Sequence, residues 1–329
     1  MPGPFPPDVV SPAAGAPVAL AVVILAHTDP THVRRLISAL DPFPVFLHCD
    51  ASTPEPEFQA MTTGLPARCR VLPRMSTGWA KWENVAAELA GYRAALAETD
   101  ATHVALLTGT DYPLASSAEI SATLRRYPGT SLAVFESLPT EIWGQGGGLD
   151  RLRYRHWVYR KHMIRLPIPR PLPAGITLAG GSQLKVLARE HAAAVLDVAD
   201  SRPDLVRYWK RSWVADETFV PSILSTPAFV PDWPVRHIRS ALWWIGWDGR
   251  RRKSPPWLDL GHRDVLLGAA DQYAQSPVLF ARKFSTRVSS PLLDEIDTAK
   301  RNRSLPEAPT PAASIGVTAT LSSGSGDPA

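Results

Sequence analysis

The sequence lacks a long apolar run, which argues against a membrane-spanning helix. Its most apolar stretch, residues 18–26, is shorter than the ~20 residues that such a helix needs. No basic segment precedes this stretch, as one would in a signal peptide. We therefore predict a buried strand there, no transmembrane segment, and a cytoplasmic protein.

The chain has few cysteines and only a small excess of positive charge. The chain has two cysteines, Cys49 and Cys69, and their spacing predicts neither a zinc site nor a disulfide framework, which favours a reducing compartment. The formal net charge is +4 and the pI is near 9.2. So small and dispersed a basic excess suits an anionic ligand and argues against nucleic acid as a partner.

Large apolar residues are scarce at both ends of the chain. Residues 1–16 are rich in Pro, Gly and Ala, and residues 306–329 end in LSSGSGDPA. Segments of this composition cannot bury enough apolar surface to fold. We predict disordered tails there and a single domain over residues 17–305.

Between the tails, apolar runs and amphipathic windows predict alternating strands and helices. The predicted strands are residues 19–25, 45–48, 70–72 and 103–107, and the predicted helices are residues 31–40, 84–98, 185–197 and 216–224. Thr31 and Asp216 are expected as helix N-caps. This alternation is typical of an α/β fold whose mostly parallel sheet is covered by helices.

Residues 136–174 interrupt this alternation. They contain a Gly-rich loop followed by a basic, aromatic stretch, IWGQGGGLDRLRYRHWVYRKHMIRLPIPRP. A segment this long is unusual as a connection inside a compact domain, so it predicts a functional loop or subdomain.

Polar residues collect where the predicted strands end, which is where ligands bind in such sheets. His27 and Asp50 follow the first two strands, and Gly109 and Asp111 lie in TGTDYP after the fourth. A glycine permits close approach of the backbone to a ligand, and a carboxylate can accept hydrogen bonds from sugar hydroxyls. Each residue also has a purely structural explanation, as a turn residue or as a partner of backbone groups.

A fourth patch, SWVADETF, places Asp216 and Glu217 at the start of a predicted helix. The positive end of the helix dipole favours a carboxylate there. Taken alone, this patch is only a capping signal.

In their order along the chain, these patches resemble the family of core-2/I-branching N-acetylglucosaminyltransferases and peptide O-xylosyltransferases. The similar segments are AHTDP, LHCDAST, WAKWENVAAELAGYRAAL, LLTGTDYPL, GGSQLKVLARE, DETF and SPVLFARKFS, from about residue 20 to 287. The resemblance implies a GT-A-type fold with a mostly parallel mixed central sheet flanked by helices. It also implies a nucleotide-binding half at about residues 17–130 and an acceptor and catalytic half at about residues 131–290.

The resemblance implies a glycosyltransferase that inverts the anomeric centre without a metal or other cofactor. It would move a sugar, N-acetylglucosamine above all, from a UDP-sugar donor to a hydroxyl of a carbohydrate acceptor, with Glu217 as the general base. The donor region contains no D-x-D triplet, the metal-binding element of metal-dependent relatives. Lys283 in FARKF corresponds to the family's diphosphate-binding lysine, with Arg282 beside it, and a fixed cation can stabilise the departing diphosphate.

The remaining site residues are also implied by the resemblance. Trp79 corresponds to an aromatic residue near the uracil, although a core tryptophan is an equal explanation. Arg151, Arg153 and Tyr154 lie in a stretch that helps to bind the acceptor in relatives, or else in a solvated basic loop. Trp213 is expected as a platform for a sugar face, and Gly181 and Ser182 lie on the acceptor side.

The sequence departs from the family at two places. Trp243 in LWWIGWDG stands where the family has an arginine, with Arg239 and residues 250–253 as candidate substitutes, and Gln183 stands where an aromatic residue is common. Two alternatives remain open: a UDP-xylose donor, and a noncatalytic relative that binds a nucleotide sugar or a carbohydrate. A Rossmann dehydrogenase is excluded because AHTDP is not a Gly-rich turn.

Overall fold

The computed structural model describes residues 20–159, 162–240, 242–247, 254–272 and 278–303. The predicted tails, residues 1–16 and 306–329, and the candidate cations at residues 250–253 lie outside the described residues.

Strands and helices alternate along the first half of the described chain, as predicted. The strands are β1 (Leu20–Ala26), β2 (Val45–Cys49), β3 (Cys69–Val71), β4 (His103–Thr108), β5 (Asp111–Pro113), β6 (Ser131–Ala133), β7 (Phe135–Ser137), β8 (Tyr154–Tyr159), β9 (His162–Pro169), β10 (Ala179–Gly181), β11 (Lys185–Ala188), β12 (His237–Arg239), β13 (Trp243–Ile245) and β14 (Phe280–Arg282). The α-helices are α1 (Pro30–Ala39), α2 (Glu55–Thr62), α3 (Trp82–Glu98), α4 (Ser117–Arg125), α5 (Asp150–Arg153), α6 (Arg189–Ser201), α7 (Pro203–Trp209), α8 (Phe219–Leu224), α9 (Arg263–Gln272) and α10 (Thr286–Asn302). Short 3₁₀ turns lie at Glu141–Trp143, Ala215–Glu217 and Leu260–His262.

Seven strands form the central sheet, in the order β12-β6-β11-β4-β1-β2-β3. Strand β11 runs antiparallel to both of its neighbours, and the other six strands share one direction. This confirms the predicted α/β fold with a mostly parallel mixed sheet. The sheet takes strands from both predicted halves of the chain, because β1 to β4 precede residue 130 and β6, β11 and β12 follow it.

Helices cover both faces of the sheet because β1 is apolar at every position. Its side chains alternate between two buried clusters, as the period of a strand requires. Leu20, Val22 and Ile24 pack in the cluster that includes α1 and α10. Ala21 and Val23 pack in the cluster that includes α3, α6 and α8. Among the described residues, no helix is both long and apolar enough to cross a bilayer.

The helix predicted at residues 185–197 is wrong in its first turn. Residues Lys185–Ala188 are a fully buried strand that pairs antiparallel with β4, and the helix α6 begins only at Arg189. Three apolar residues after a lysine fit a buried strand as well as a helical turn, so periodicity could not separate the two.

Both predicted N-caps are also wrong. Asp29, and not Thr31, caps α1, because its Oδ1 accepts a hydrogen bond from the His32 amide at 3.1 Å. Asp216 lies in a buried 3₁₀ turn ahead of α8 and caps nothing. The predicted functional segment at residues 136–174 contains α5 and the hairpin β8–β9, a two-stranded sheet of its own.

Candidate active site

The carboxyl ends of β4, β1 and β2 lie side by side, and the residues that follow them form one edge. The Gly109 amide donates to the Leu25 carbonyl at 2.8 Å, and the Asp50 amide donates to the Ala26 carbonyl at 2.9 Å. His27 is exposed at this edge, and its carbonyl accepts a hydrogen bond from the Thr53 hydroxyl at 2.9 Å. The structure therefore brings His27, Asp50 and Gly109 together, as strand order predicted.

Asp50 is held by its own turn. Its Oδ1 accepts hydrogen bonds from the amide and the hydroxyl of Ser52, at 2.6 and 2.5 Å, and its Oδ2 accepts one from the Thr77 hydroxyl. Burial alone would raise the pKa of Asp50, but these hydrogen bonds outweigh it and lower the pKa. The carboxylate is thus ionised and fixed, and it ties residues 76–81 to the end of β2.

Gly109 and Asp111 are shielded from the edge, which corrects two expected contacts. A Cβ on Gly109 would lie 3.0 Å from the Ala26 side chain and 3.1 Å from that of Val33, so packing against these side chains favours glycine at this position. Asp111 is fully buried, and its Oδ2 accepts from the Thr108 amide at 2.6 Å. Its carboxylate cannot reach a sugar hydroxyl in this arrangement.

Asp111 instead faces a cation of the predicted diphosphate site. Strand β14 pairs with β5 so that Arg282 lies opposite Asp111, and Arg282 Nε is 3.4 Å from Asp111 Oδ1. Burial raises the pKa of Asp111, and the charge of Arg282 partly opposes that rise. Asp111 therefore positions Arg282, and any effect of Asp111 on the donor passes through that arginine.

Lys283 follows directly, at the end of β14. Its Nζ lies 4.3 Å from the centre of the Trp257 ring and 3.3 Å from the Ser254 hydroxyl. Burial and the neighbouring charge of Arg282 lower the pKa of Lys283. No carboxylate pairs with Lys283 in the described ranges. A bound anion would therefore offset the cost of burying this charge beside Arg282.

Trp243, at the place of the family's arginine, is a core residue. It is buried on β13 and stacks on Phe280 of β14, with ring centres 4.7 Å apart. Arg239 lies on the outermost strand, β12, and is bound to Glu136, with 2.7 Å between Nε and Oε1. Arg239 is therefore already paired with a carboxylate, whereas Lys283 has no such partner within the described residues.

Glu217 and Arg151 form an ion pair, with 2.5 Å between Glu217 Oε2 and Arg151 Nη1. The Glu217 side chain is 38% exposed and that of Arg151 is 18% exposed. Burial raises the pKa of Glu217, and the charge of Arg151 opposes that rise. In the described part of the chain only Oε2 is hydrogen-bonded, so Oε1 is open to a bound hydroxyl.

Aromatic rings hold Arg151 from two sides. Its Cζ lies 3.9 Å from the centre of the Trp143 ring and 5.3 Å from that of Trp213. Trp213 also contacts Trp79 edge to face at 6.2 Å. Trp79 lies two residues after Thr77, which binds Asp50. A continuous set of contacts therefore runs from the end of β2 through Trp79, Trp213 and Arg151 to Glu217.

A buried charged network lies beneath Glu217. Lys185 Nζ is 2.9 Å from Glu88 Oε1, and both side chains are fully buried. The same Glu88 oxygen accepts a hydrogen bond from the Tyr92 hydroxyl at 2.8 Å. Burial and the charge of Glu217 raise the pKa of the adjacent Asp216 to about 7, with a further upward contribution from Glu88.

The other predicted acceptor residues do not join this cluster. Arg153 and Tyr154 line a separate cavity of 740 Å³ together with residues of the Gly-rich loop. Gly181 is required by packing, since a Cβ there would lie 2.0 Å from the Val134 carbonyl oxygen. The Ser182 hydroxyl accepts from the Leu184 amide at 3.1 Å and so closes a local turn.

Two residues that hold Arg151 in place, Trp143 and Gly180, were not predicted from the sequence. The Arg151 guanidinium packs on the Trp143 ring. A Cβ on Gly180 would lie 2.1 Å from that ring. Glycine at 180 therefore makes room for this tryptophan. The available signals were the lone tryptophan ahead of the Gly-rich run and the Gly pair in LAGGS.

Comparison with known proteins identifies a family. The profile of the family described as "Branch: Core-2/I-Branching enzyme" matches residues 23–265, well over half of the chain. No curated protein matches the sequence.

Two solved structures are similar to parts of the chain. HddC from Yersinia pseudotuberculosis is 10% identical, with 52% of this chain and 78% of that chain covered and a TM-score of 0.27. A "Putative Glucose-1-Phosphate Thymidylyltransferase" from Bacillus anthracis, in complex with sucrose, is 8% identical, with 58% and 82% covered and a TM-score of 0.28.

Proposed function

The chain belongs to the Core-2/I-branching enzyme family, and we propose that it is an inverting, metal-independent glycosyltransferase. It transfers a sugar, N-acetylglucosamine in the first instance, from a UDP-sugar to an acceptor hydroxyl. The observation that carries this proposal is the set of contacts through Thr77, Trp79, Trp213 and Arg151. These contacts connect the strand ends on the donor side to the carboxylate of Glu217.

Glu217 acts as the general base of this reaction. An acceptor hydroxyl is a weak nucleophile at neutral pH, so a carboxylate within hydrogen-bond reach must take its proton as it attacks. Glu217 Oε1 accepts that proton while Arg151 holds Oε2. The bond from the acceptor oxygen to the anomeric carbon forms as the bond from that carbon to the diphosphate breaks, and attack from the opposite face inverts the centre.

Lys283 and Arg282 stabilise the departing UDP. Negative charge develops on the diphosphate as its bond to the sugar breaks, and preorganised cations stabilise such charge most strongly where water is excluded. Lys283 is half-buried beside Trp257, and Arg282 is positioned by Asp111. Asp50, at the end of β2, and Trp79, in the segment that Asp50 binds through Thr77, would contact the nucleoside.

A noncatalytic relative that binds a nucleotide sugar is the second candidate. It is favoured by Trp243, which fills a core position where the family's second cation would stand. Retention of Glu217 and Lys283 favours the enzyme. UDP-xylose is the alternative donor for the enzyme, since nothing in the residues above separates the two sugars.

UDP is expected to bind without a divalent metal, and Lys283→Met is expected to weaken that binding. Loss of a charge-assisted hydrogen bond costs about 1.5–3 kcal/mol, or about ten- to a hundredfold in Kd. The measurement is a calorimetric titration of UDP in excess EDTA. Arg125→Met, at an exposed arginine on α4, is the control and should bind as the wild type does. Binding that requires Mn²⁺, or an unchanged Kd in Lys283→Met, contradicts the proposed diphosphate site.

A further inference from the structure

A large cavity lies beside the proposed catalytic cluster. Its volume is 1220 Å³, above the range of about 300–1,000 Å³ of small-molecule sites. It is lined by residues 76–83, strand β8, the two residues that follow β9, and α7 with the turn that follows it. The cavity therefore has room for several linked sugar units.

The lining of this cavity is strongly basic. Six of its residues are cationic and two are acidic: Lys81, Arg155, Arg170, Arg207, Lys210 and Arg211, against Glu83 and Asp204. Asp204 is already bound by Arg202 through two hydrogen bonds, at 2.9 and 2.7 Å. None of the six cations forms an ion pair with a carboxylate in the part of the chain that the structure describes. So dense a group of like charges is costly unless an anion binds among them.

Of the six cations, one is fixed in place and three are available to a ligand. Arg170 is fixed, because it donates to the Leu152 carbonyl, the Tyr208 carbonyl and the Ser212 hydroxyl at 3.0, 2.9 and 2.7 Å. Arg155, Arg207 and Lys210 are exposed and make no side-chain hydrogen bond within the described ranges. These three side chains can therefore reach a ligand, while Arg170 adds a positive charge at a fixed place in the lining.

Aromatic rings complete the cavity and connect it to the base. Trp157, Tyr208 and Trp213 line it, and aromatic faces pack against the apolar faces of sugar rings. Trp213 has a second role, because its ring lies 5.3 Å from Arg151 Cζ, and Arg151 binds Glu217. A sugar that packs on Trp213 is thus next to the proposed catalytic pair.

We propose that this cavity binds an anionic acceptor glycan, whose acidic groups contact Arg155, Arg207 and Lys210 while its sugar rings pack against Trp157 and Trp213. The proposal rests on the proposed function, since it assumes that the acceptor hydroxyl meets Glu217. The acidic groups are uronic-acid carboxylates or phosphate esters. Both are oxyanions that accept charge-assisted hydrogen bonds from arginine and lysine.

The test compares tetragalacturonic acid, phosphorylated maltotetraose and neutral maltotetraose as ligands of the full chain, by calorimetry at low salt. We expect at least one of the two acidic ligands to bind about tenfold or more tightly than the neutral one. That advantage should shrink as salt screens the exposed charges. The ligand that binds identifies the acidic group. Equal binding of neutral and acidic ligands, or binding of inorganic phosphate as tight as that of the acidic glycan, overturns the proposal.

The double variant Arg207→Ala/Lys210→Ala should lose about tenfold or more in affinity for the acidic glycan. The control Arg125→Ala/Arg126→Ala removes two exposed arginines that also make no ion pair in the described chain, and it should bind as the wild type does. Acidic-glycan affinity that survives in the first variant overturns the proposal. Titration of UDP into the same samples separates this proposal from the proposed donor site. The cavity variants should keep the UDP affinity of the wild type. Failure of the wild-type protein to bind UDP would contradict the donor site alone.

Discussion

Glu217→Gln is expected to lower kcat for sugar transfer by about 10²- to 10⁴-fold. The amide keeps the shape of the side chain and can still accept a hydrogen bond from Arg151, but it cannot take the proton of the acceptor hydroxyl. UDP affinity should hardly change, because the diphosphate site at Lys283 is formed by other elements. The measurement is the transfer rate at saturating donor, with UDP affinity and the melting temperature determined on the same protein.

A purely structural Glu217 would give a different pattern. Loss of a carboxylate near the start of a helix costs about 0.3–1 kcal/mol of stability, with turnover nearly intact. Glu57→Gln, at an exposed carboxylate on α2, is the matched control and should keep full activity. A folded, UDP-binding Glu217→Gln protein that still turns over within about threefold of the wild type contradicts the general-base role.

Lys185→Met is expected to lower the free energy of unfolding by about 3–5 kcal/mol. Lys185 and Glu88 are both fully buried, 2.9 Å apart, so the variant leaves Glu88 as an uncompensated charge in the core. The nearby Asp216 also loses a positive neighbour, which adds to the electrostatic cost. The measurement is equilibrium denaturant unfolding of the variant and the wild type.

Two further variants test whether the loss of stability comes from the buried charge of Glu88. Arg125→Met, at an exposed arginine on α4, should change the unfolding free energy by no more than about 0.5 kcal/mol. The double variant Glu88→Gln/Lys185→Met should recover most of the loss, because the glutamine is neutral and can still accept from the Tyr92 hydroxyl. A loss below about 1 kcal/mol in Lys185→Met would show that Glu88 is not left charged and buried.

The central strands were predictable because their apolar runs are bounded by turn residues. Strands β1, β2, β3 and β4 lie within one or two residues of the predicted positions, which is the usual uncertainty of element ends. Strand β11 was not predictable, because its antiparallel pairing with β4 is a long-range contact. Its lysine at 185 is buried only because Glu88, on the distant helix α3, lies next to it.

Short motifs could name candidate site residues, but they could not predict the contacts that folding creates between distant segments. FARKF and DETF identified Lys283 and Glu217 as candidates. The pairing of Glu217 with Arg151 joins residues 66 positions apart, and the support from Trp143 depends on space left by Gly180. Asp111 was predicted to face a ligand, but its burial against Arg282 depends on the pairing of β5 with β14.

Release of UDP from a panel of nucleotide sugars, followed over time in excess EDTA, tests the central claim most directly. The wild-type protein is expected to release UDP from UDP-N-acetylglucosamine without any metal, by slow hydrolysis even when no acceptor is supplied and faster with an acceptor. Preferential release from UDP-xylose would keep the mechanism and change the donor. A folded, UDP-binding protein that releases no UDP from any UDP-sugar, or does so only with Mn²⁺, would contradict a metal-independent glycosyltransferase.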